Sequence, residues 1–281
     1  MPTLIADSGS TKTHWLFISR SGEEEHVLTE GLNPLTRSEE EITRMLLALR
    51  SRLPEAPTQL AFYGAGCRGR GREVMRERLS EVFPGAAGTM EVESDLLGAA
   101  RGALGREAGV VCIVGTGTNS GLYDGRRLVR NVPPLGFILG DEGGGAALGR
   151  QLLNRCLRGC LSEELTAAFR AAYPDADEGS VIEHVYRRPS ANTYLAHFAP
   201  FVVERRKDAE IKEIILSEFD KFFQYQLAPY GLDATTPLSF VGGLAYALRE
   251  ELCAAAQRRG FSVRSIMQEP IEGLRDYHAA R

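Results

Sequence analysis

The spacing of hydrophobic and polar residues predicts strands alternating with helices along the first hundred residues. Short apolar runs at 3–7, 14–18, 59–63 and 90–92 are typical of buried strands. Ser38 and Glu41 have the spacing of a capping box that opens a helix ending before Pro54. The apolar residues of that helix fall on one face: Ile42, Met45, Leu46, Leu49 and Leu53. An Arg/Glu-rich helix before Pro84 and another over 96–104 complete this part.

The second part of the chain repeats this opening and then becomes mostly helical. A buried strand at 110–114 precedes a glycine-rich loop and the hairpin turn 124–125. Helices are predicted from about 142 to 228, followed by a strand at 238–241 and a helix to about Arg258. A strand from Phe261 and a short helix from about Ile271 end the chain.

This alternation predicts an α/β fold with two domains. We expect an N-terminal α/β domain over 1–106 and a C-terminal α/β domain over 107–281, with the last short helix packing back on the first. No linker or low-complexity segment marks the boundary. We therefore expect the two domains to share an interface and a cleft.

Composition narrows the function classes. The 281 residues are 43% hydrophobic and 25% charged, which is ordinary for a globular protein. The net charge of -4 supplies no basic field for a nucleic acid, so no nucleic-acid partner is expected. No run approaches the roughly 20 apolar residues of a membrane span, and the start lacks the pattern of a signal peptide. Five sparse cysteines fit a reducing compartment, and we expect a cytoplasmic protein without a membrane partner.

The first glycine- and hydroxyl-rich loop has the chemistry of a phosphate-binding turn. Residues 7–13 read Asp-Ser-Gly-Ser-Thr-Lys-Thr, and such a turn presents backbone N–H groups and hydroxyls to a phosphate. Asp7 at the strand end could hold a hydrated Mg²⁺. Lys12 is one of only four lysines in the chain, and its charge could face a phosphate. The alternative is a polar hairpin turn without a ligand.

A second loop of the same kind strengthens the prediction. Residues 115–120, Gly-Thr-Gly-Thr-Asn-Ser, also follow a buried strand and also combine glycines with hydroxyls. Two such hairpins about a hundred residues apart indicate two related domains that grip one polyphosphate.

With these motifs the chain resembles the N-acetylglucosamine kinase group, the BadF/BadG/BcrA/BcrD-type ATPases of the actin, Hsp70 and hexokinase superfamily. The resemblance covers nearly the whole chain and rests on five motifs in order: residues 7–13, 94–100, 115–120, 139–144 and 240–244. It implies two related ribonuclease H-like domains with ATP and Mg²⁺ in an interdomain cleft, and it implies a homodimer.

The resemblance also implies roles for individual residues. Asp95 is the general base that accepts the proton of the acceptor hydroxyl, and it would also contact the sugar. The sugar would further meet Asn33, Gly64, Gly66, Thr116, Asn119 and Asp141, with Gly64 and Gly66 near its N-acyl group. The nucleotide would meet Asp7, Gly9, Ser10, Thr11, Lys12, Thr13, Gly115, Thr116, Gly117, Gly242 and Gly243, the last two at the adenine. Asp7 would be the metal residue.

Structural alternatives stay open for several of these positions. Ser94 or Asp95 could cap a helix, Asp141 and Glu142 could cap the next helix, and Asn33 could serve a turn before Pro34. Gly242 and Gly243 could simply end a strand before the next helix begins.

A dinucleotide-binding fold is a further alternative. Residues 64–69 match G-x-G-x-x-G after a strand, although this strand does not open the sheet. Serine-hydrolase and zinc-enzyme motifs are absent from the sequence.

The expected activity is ATP-dependent phosphorylation of an amino sugar, with N-acetylglucosamine and its 6-hydroxyl as the leading acceptor. Glucosamine and N-acetylmuramic acid remain open as acceptors. Ser8 and Ser10 stand where many sugar kinases have glycine, which could alter the phosphate approach. An ATPase that switches a partner protein is the alternative function, and a sugar sensor is a third.

Overall fold

The computed structural model describes residues 1–233 and 235–279, which form ten strands in two five-stranded sheets. The strands of the first sheet are β1 (Thr3–Ser8), β2 (Lys12–Ile18), β3 (Glu24–Glu30), β4 (Gln59–Gly64) and β5 (Met90–Ser94). Those of the second sheet are β6 (Gly109–Val114), β7 (Thr118–Tyr123), β8 (Leu128–Arg130), β9 (Leu238–Val241) and β10 (Val263–Met267).

Thirteen helices surround the sheets in the described residues. They are α1 (Glu39–Arg50), α2 (Arg70–Val82), α3 (Asp95–Leu104), α4 (Gly136–Leu139), α5 (Gly145–Leu157), α6 (Glu163–Ala172), α7 (Glu178–Tyr186), α8 (Ala191–Ala196), α9 (Ala199–Glu204), α10 (Ala209–Phe222), α11 (Gly243–Ala247), α12 (Arg249–Arg258) and α13 (Ile271–Ala279). Shorter 3₁₀ segments occupy Pro84–Thr89 and Ala228–Tyr230, and Phe223–Leu227 is a π-helix.

The chain divides into two compact units. Unit 1 contains residues 1–108 and 123–128 and resumes at Glu269, so that α13 belongs to it. Unit 2 contains residues 109–122 and 129–268.

In unit 1, the first sheet is a central layer with the order β3-β2-β1-β4-β5. β1 runs antiparallel to β2 and parallel to β4, and β4 runs parallel to β5. Side chains alternate between the faces, so Leu4 and Phe62 pack toward α1 and α2 while Ile5 and Tyr63 pack toward α13. Because both faces are covered, β1 and β4 are buried almost throughout.

The helices α3 and α13 cross with backbone against backbone. A Cβ atom added to Gly273 would lie 1.9 Å from the Gly102 carbonyl oxygen, and one added to Gly102 would lie 2.6 Å from Pro270 Cβ. The two glycines therefore allow a contact that larger residues would block. Since Asp95 begins α3, this crossing fixes the helix that carries the predicted base.

In unit 2, the sheet order is β10-β9-β6-β7-β8, with β9 parallel to both β6 and β10. Buried residues of β6 and β9 share one core with α5 and α10, including Cys112, Leu152, Phe219 and Phe240. Packing into this core accounts for the apolar periodicity of the helical segment predicted from about 142 to 228.

The predicted α/β fold is confirmed, and most predicted elements are present. Ser38 and Glu41 form both hydrogen bonds of the capping box, and Ile42, Leu46 and Leu49 are buried. The sequence missed β3 because its exposed edge position leaves only Val27 buried. The helix predicted to end at about Arg258 is divided at Leu248, and the strand predicted from Phe261 begins at Val263.

The dinucleotide-binding alternative is wrong. Sheet 1 opens with the antiparallel pair β1 and β2, and G-x-G-x-x-G follows β4 instead of opening a parallel sheet.

The described residues contain no helix with both the length and the apolar character of a membrane span.

Candidate active site

Three loops of unit 1 meet at one edge of its sheet. Ser8 on β1 pairs with Gly64 on β4, and Gly64 pairs with Ser94 on β5. The carboxyl ends of these parallel strands therefore lie side by side, which is where open α/β sheets bind ligands. Asp7, the loop after Gly64, and Asp95 are all placed at this edge.

The first turn is closed by its backbone and leaves Gly9 open. The Gly9 N–H donates to the Lys12 carbonyl oxygen at 2.9 Å. Gly9 has no positive φ, and a Cβ atom there would find its nearest neighbour, the Lys12 carbonyl oxygen, at 3.6 Å. Neither the backbone conformation nor packing within the unit thus requires glycine at this position.

Two hydroxyls of the turn point into the unit. Ser8 Oγ and Thr13 Oγ1 are 2.7 Å apart, and Ser8 Oγ also accepts from the Leu32 N–H at 3.1 Å. Both residues are fully buried. Ser8 and Thr13 therefore stabilise the turn from inside and are not accessible to a phosphate, whereas Ser10 and Thr11 are exposed.

Asn33 joins the first turn to the neighbouring loop. Its Nδ2 donates to Ser10 Oγ at 3.1 Å, and its Oδ1 accepts from the Leu35 N–H at 3.0 Å. A Cβ atom on Gly66, which has φ +78°, would lie 2.2 Å from Asn33 Oδ1. Gly66 thus permits a close approach to an asparagine amide that already serves a turn.

Lys12 has a partner that the sequence did not indicate. Its ammonium forms an ion pair with Glu269, which precedes α13, and the other Glu269 oxygen contacts His14 Nδ1 at 2.5 Å. Glu269 lies 257 positions away along the chain, so only the fold reveals the pair.

Ser94 and Asp95 divide the start of α3 between them. Ser94 Oγ accepts from the Leu97 N–H at 3.3 Å and is the N-cap, while Asp95 Oδ1 accepts from the Leu96 N–H at 2.8 Å. Burial raises the pKa of Asp95, and the Leu96 N–H and the charge of Arg68 oppose that rise. Because Ser94 is the cap, α3 does not need Asp95 for capping.

Asp7 lies in a strongly negative environment. Burial, the charge of Asp95 and the charge of Glu269 raise its pKa to about 7, while Lys12 acts in the opposite direction. Two carboxylates that repel each other at a sheet edge fit a cation, and Mg²⁺ commonly uses one or two carboxylates together with substrate phosphates. Residues 1–233 and 235–279 contain no group of three or more His, Cys, Asp or Glu side chains arranged for a metal.

The second turn, in unit 2, resembles the first in its backbone. The Gly115 N–H donates to the Gly117 carbonyl oxygen at 2.9 Å, and a Cβ atom on Gly115 would have no neighbour within 4 Å. The first amides of α5 hold the loop, because the Gly145 and Ala146 N–H groups donate to the carbonyl oxygens of Gly115 and Thr116.

Asp141 is fixed against this turn. Its Oδ1 accepts from the Thr118 N–H at 2.9 Å, and a Cβ atom on Gly117 would lie 2.7 Å from its carboxylate. Asp141 has φ 59°, an uncommon conformation for a residue with a side chain. Burial raises its pKa, opposed by the Thr118 N–H. The capping alternative for Asp141 and Glu142 is wrong, because Gly144 is the N-cap of α5 and no side chain hydrogen-bonds at that cap.

Two neighbours complete the polar surface of the second turn. Asn119 Oδ1 accepts from the Ser120 N–H at 3.0 Å and from Asn131 Nδ2 at 2.9 Å. Thr118 is buried, and its Oγ1 has no hydrogen-bond partner. Thr118 was not among the predicted site residues, although it lies between Gly117 and Asn119; its unpartnered buried hydroxyl beside Asp141 is a signal that only the structure supplies.

Gly242 and Gly243 have different reasons to be glycine. Gly242 has φ +135°, and a Cβ atom there would lie 2.2 Å from the Val114 carbonyl oxygen. The close approach of β6 accounts for this residue. A Cβ atom on Gly243 would meet nothing within 4 Å, so Gly243, like Gly9 and Gly115, is a glycine that its own unit does not require.

Comparison with known proteins identifies the family. No protein-family model matches the chain, and no curated protein matches it. Among solved structures, it is 37% identical to a candidate N-acetylglucosamine kinase from Porphyromonas gingivalis, with 99% of each chain covered and a TM-score of 0.93. The chain belongs to the N-acetylglucosamine kinase family. This membership confirms the resemblance that the sequence motifs indicated.

More distant structures share the fold of this kinase family. A candidate N-acetylglucosamine kinase from Chromobacterium violaceum is 21% identical, with 98% of each chain covered and a TM-score of 0.74. A ROK family glucokinase from Streptomyces griseus, in complex with glucose and AMPPNP, is 14% identical with a TM-score of 0.58, over 100% of this chain and 99% of that one. The two-domain architecture of the actin, Hsp70 and hexokinase superfamily is thus confirmed.

Proposed function

We propose that the protein is an ATP-dependent kinase that phosphorylates the 6-hydroxyl of N-acetylglucosamine. The observation that carries the proposal is Asp95, a carboxylate at the binding edge of sheet 1 that its helix does not need as a cap. Membership of a sugar-kinase family supports the reaction class.

Asp95 is the general base of the proposed reaction. Phosphoryl transfer needs the acceptor hydroxyl held in line with the γ-phosphate and a carboxylate to accept its proton. The Leu96 N–H holds Asp95 Oδ1, which leaves Oδ2 for the hydroxyl proton. Burial raises the pKa of Asp95, and a carboxylate with a raised pKa accepts a proton more readily than an ordinary aspartate.

The open turns are the positions that we assign to nucleotide phosphates. Gly9 and Gly115 leave room for a phosphate to approach the backbone closely, and Gly243 leaves room for the adenine. Ser10, Thr11 and Lys12 add exposed donors in unit 1. Asp7 would hold Mg²⁺, which neutralises charge on the transferring phosphoryl group when it is bound.

For the acceptor, we assign polar groups that are held rigidly within each unit. Asp141 and Asn119 are fixed by hydrogen bonds at the second turn, and Asn33 is fixed beside Gly66 and Ser10. Fixed acceptors and amides suit the hydroxyl and N-acyl groups of an amino sugar. Gly64, Gly66 and Thr116 complete the assignment.

An ADP-release assay over a panel of sugars tests the function. We expect turnover to be stimulated most by N-acetylglucosamine, and less by glucosamine, N-acetylmuramic acid and glucose. A turnover that no sugar stimulates would reject the proposal, and a steady sugar-independent ATP hydrolysis would favour an ATPase that switches a partner protein. Calorimetry with each sugar provides the matching binding measurement.

A further inference from the structure

The side chain of Lys12 is held by one carboxylate group at the edge of the first turn. It is 57% exposed and forms its ion pair with Glu269, whose side chain is 22% exposed. A long exposed lysine side chain has many accessible rotamers, so its ion-pair partner determines the position of the ammonium group. In unit 1, that partner comes from the segment between β10 and α13.

Glu269 is itself fixed by the sheet. Its second oxygen contacts His14 Nδ1, and His14 Nε2 lies 2.9 Å from His26 Nδ1 on the neighbouring strand β3. The His26 ring in turn lies 3.7 Å from Glu272 Oε1. Each oxygen of Glu269 thus has a separate partner, and the loss of one leaves the other in place.

The surroundings of this ion pair are negative. The charges of Asp95 and Glu269 both act on Asp7, and Lys12 is the cation that offsets them there. A nucleotide phosphate that enters the first turn adds further negative charge. It therefore competes with Glu269 for the same ammonium.

We propose that Glu269 is the resting counter-ion of Lys12 and that a phosphate of the incoming nucleotide displaces it. The inference rests on the proposed function, because it requires a nucleotide at the first turn. Exposed ion pairs are weak, so breaking the pair between Lys12 and Glu269 costs little free energy. The His14 hydrogen bond keeps the released carboxylate partnered, which avoids leaving a half-buried acceptor unsatisfied.

Titration calorimetry of Mg-ATP binding at low salt tests the exchange. We expect Glu269→Gln to tighten ATP binding by about two- to fivefold, the range that an exposed ion pair can supply. In a Lys12→Met background the same Glu269→Gln change should shift the Kd clearly less, because only the loss of a nearby negative charge then acts and no ammonium is released. At high salt the difference between wild type and Glu269→Gln should shrink, because exposed charges are screened.

Glu272→Gln is the matched control, since Glu272 lies three residues further on and pairs with Arg275 and His26 instead of Lys12. It should leave ATP affinity unchanged. The inference is overturned if Glu269→Gln weakens or does not change ATP binding, or if it shifts the Kd equally in the wild-type and Lys12→Met backgrounds. Wild-type protein that binds no ATP would contradict the proposed function as well, which separates the two failures.

Discussion

At the start of α3, Ser94 and Asp95 are adjacent, and from the sequence either residue could have been the N-cap of the helix. Ser94 caps the helix, and Asp95 keeps one oxygen on the Leu96 N–H. A similar division occurs in the first turn, where Ser8 and Thr13 point inward while Ser10 and Thr11 are exposed. Ser8 and Thr13 are paired residues of β1 and β2, whereas Ser10 and Thr11 lie in the turn between these strands, so neighbouring polar residues in a motif need not share a function.

Asp95→Asn tests the proposed base at this scale. The asparagine keeps an oxygen for the Leu96 N–H, and Ser94 keeps the cap, so the thermal unfolding midpoint should not fall. We expect kcat for the sugar to fall about 10²- to 10⁴-fold, the usual contribution of a general base. The KM for ATP should stay within a few-fold. Retention of wild-type kcat in steady-state assays would reject the assignment.

Asp7 gives a pH-dependent prediction for stability. Its pKa rises from 3.8 to about 7 on folding, so the folded state holds the proton more tightly than the unfolded state. Between about pH 4 and pH 7 the unfolded state loses the proton first, and the folded state becomes less stable as the pH rises. Asp7→Asn removes this penalty.

The stability gained by Asp7→Asn should therefore be larger at pH 8 than at pH 5. Urea unfolding of both proteins at the two pH values measures it, and the same variant should lose Mg²⁺-dependent turnover. An equal stability difference at both pH values would show that Asp7 ionises normally in the folded protein.

Among the elements, the two glycine-rich turns and the crossing of α3 with α13 matter most. Gly9 and Gly115 are open, whereas Gly102 and Gly273 are in backbone contact. A glycine in the sequence does not distinguish these cases. Only the position of neighbouring atoms shows whether a glycine serves packing or leaves space for a ligand.

Gly115→Ala tests the second turn. The added methyl group has no neighbour within 4 Å, so the free energy of unfolding should remain within about 0.5 kcal/mol of wild type. We expect the KM for ATP to rise at least about tenfold, because the methyl group occupies the space assigned to a phosphate. Gly88→Ala, equally free of neighbours and outside the candidate site, is the control for both measurements. An unchanged KM for ATP would mean that the turn has only a structural role.

Gly273→Ala tests the helix crossing. Its Cβ atom would lie 1.9 Å from the Gly102 carbonyl oxygen, so α13 must shift away from α3. We expect the free energy of unfolding to fall by about 1–3 kcal/mol, as for other overpacked contacts. Chemical denaturation measures the loss, with Gly88→Ala again as the control. Wild-type stability would indicate that the helices are not in backbone contact.

For the whole molecule, the sequence predicted the α/β class, the family and most elements, because buried strands and amphipathic helices leave periodic patterns. It could not predict the edge strand β3, which is mostly exposed, or the return of Glu269 to Lys12, which depends on tertiary structure. The sequence also could not show that Gly242 is required by the close approach of β6 whereas Gly243 is open. The motifs indicated the candidate site, and the three-dimensional structure separated residues that hold the fold from residues that packing leaves open to a ligand.

The most direct test of the account is phosphorus NMR of the product formed from ATP, Mg²⁺ and N-acetylglucosamine. The account predicts a phosphomonoester whose phosphorus couples to the two protons on C6 of the sugar, with ADP formed in equal amount. Inorganic phosphate as the only new signal, with or without the sugar, would contradict it.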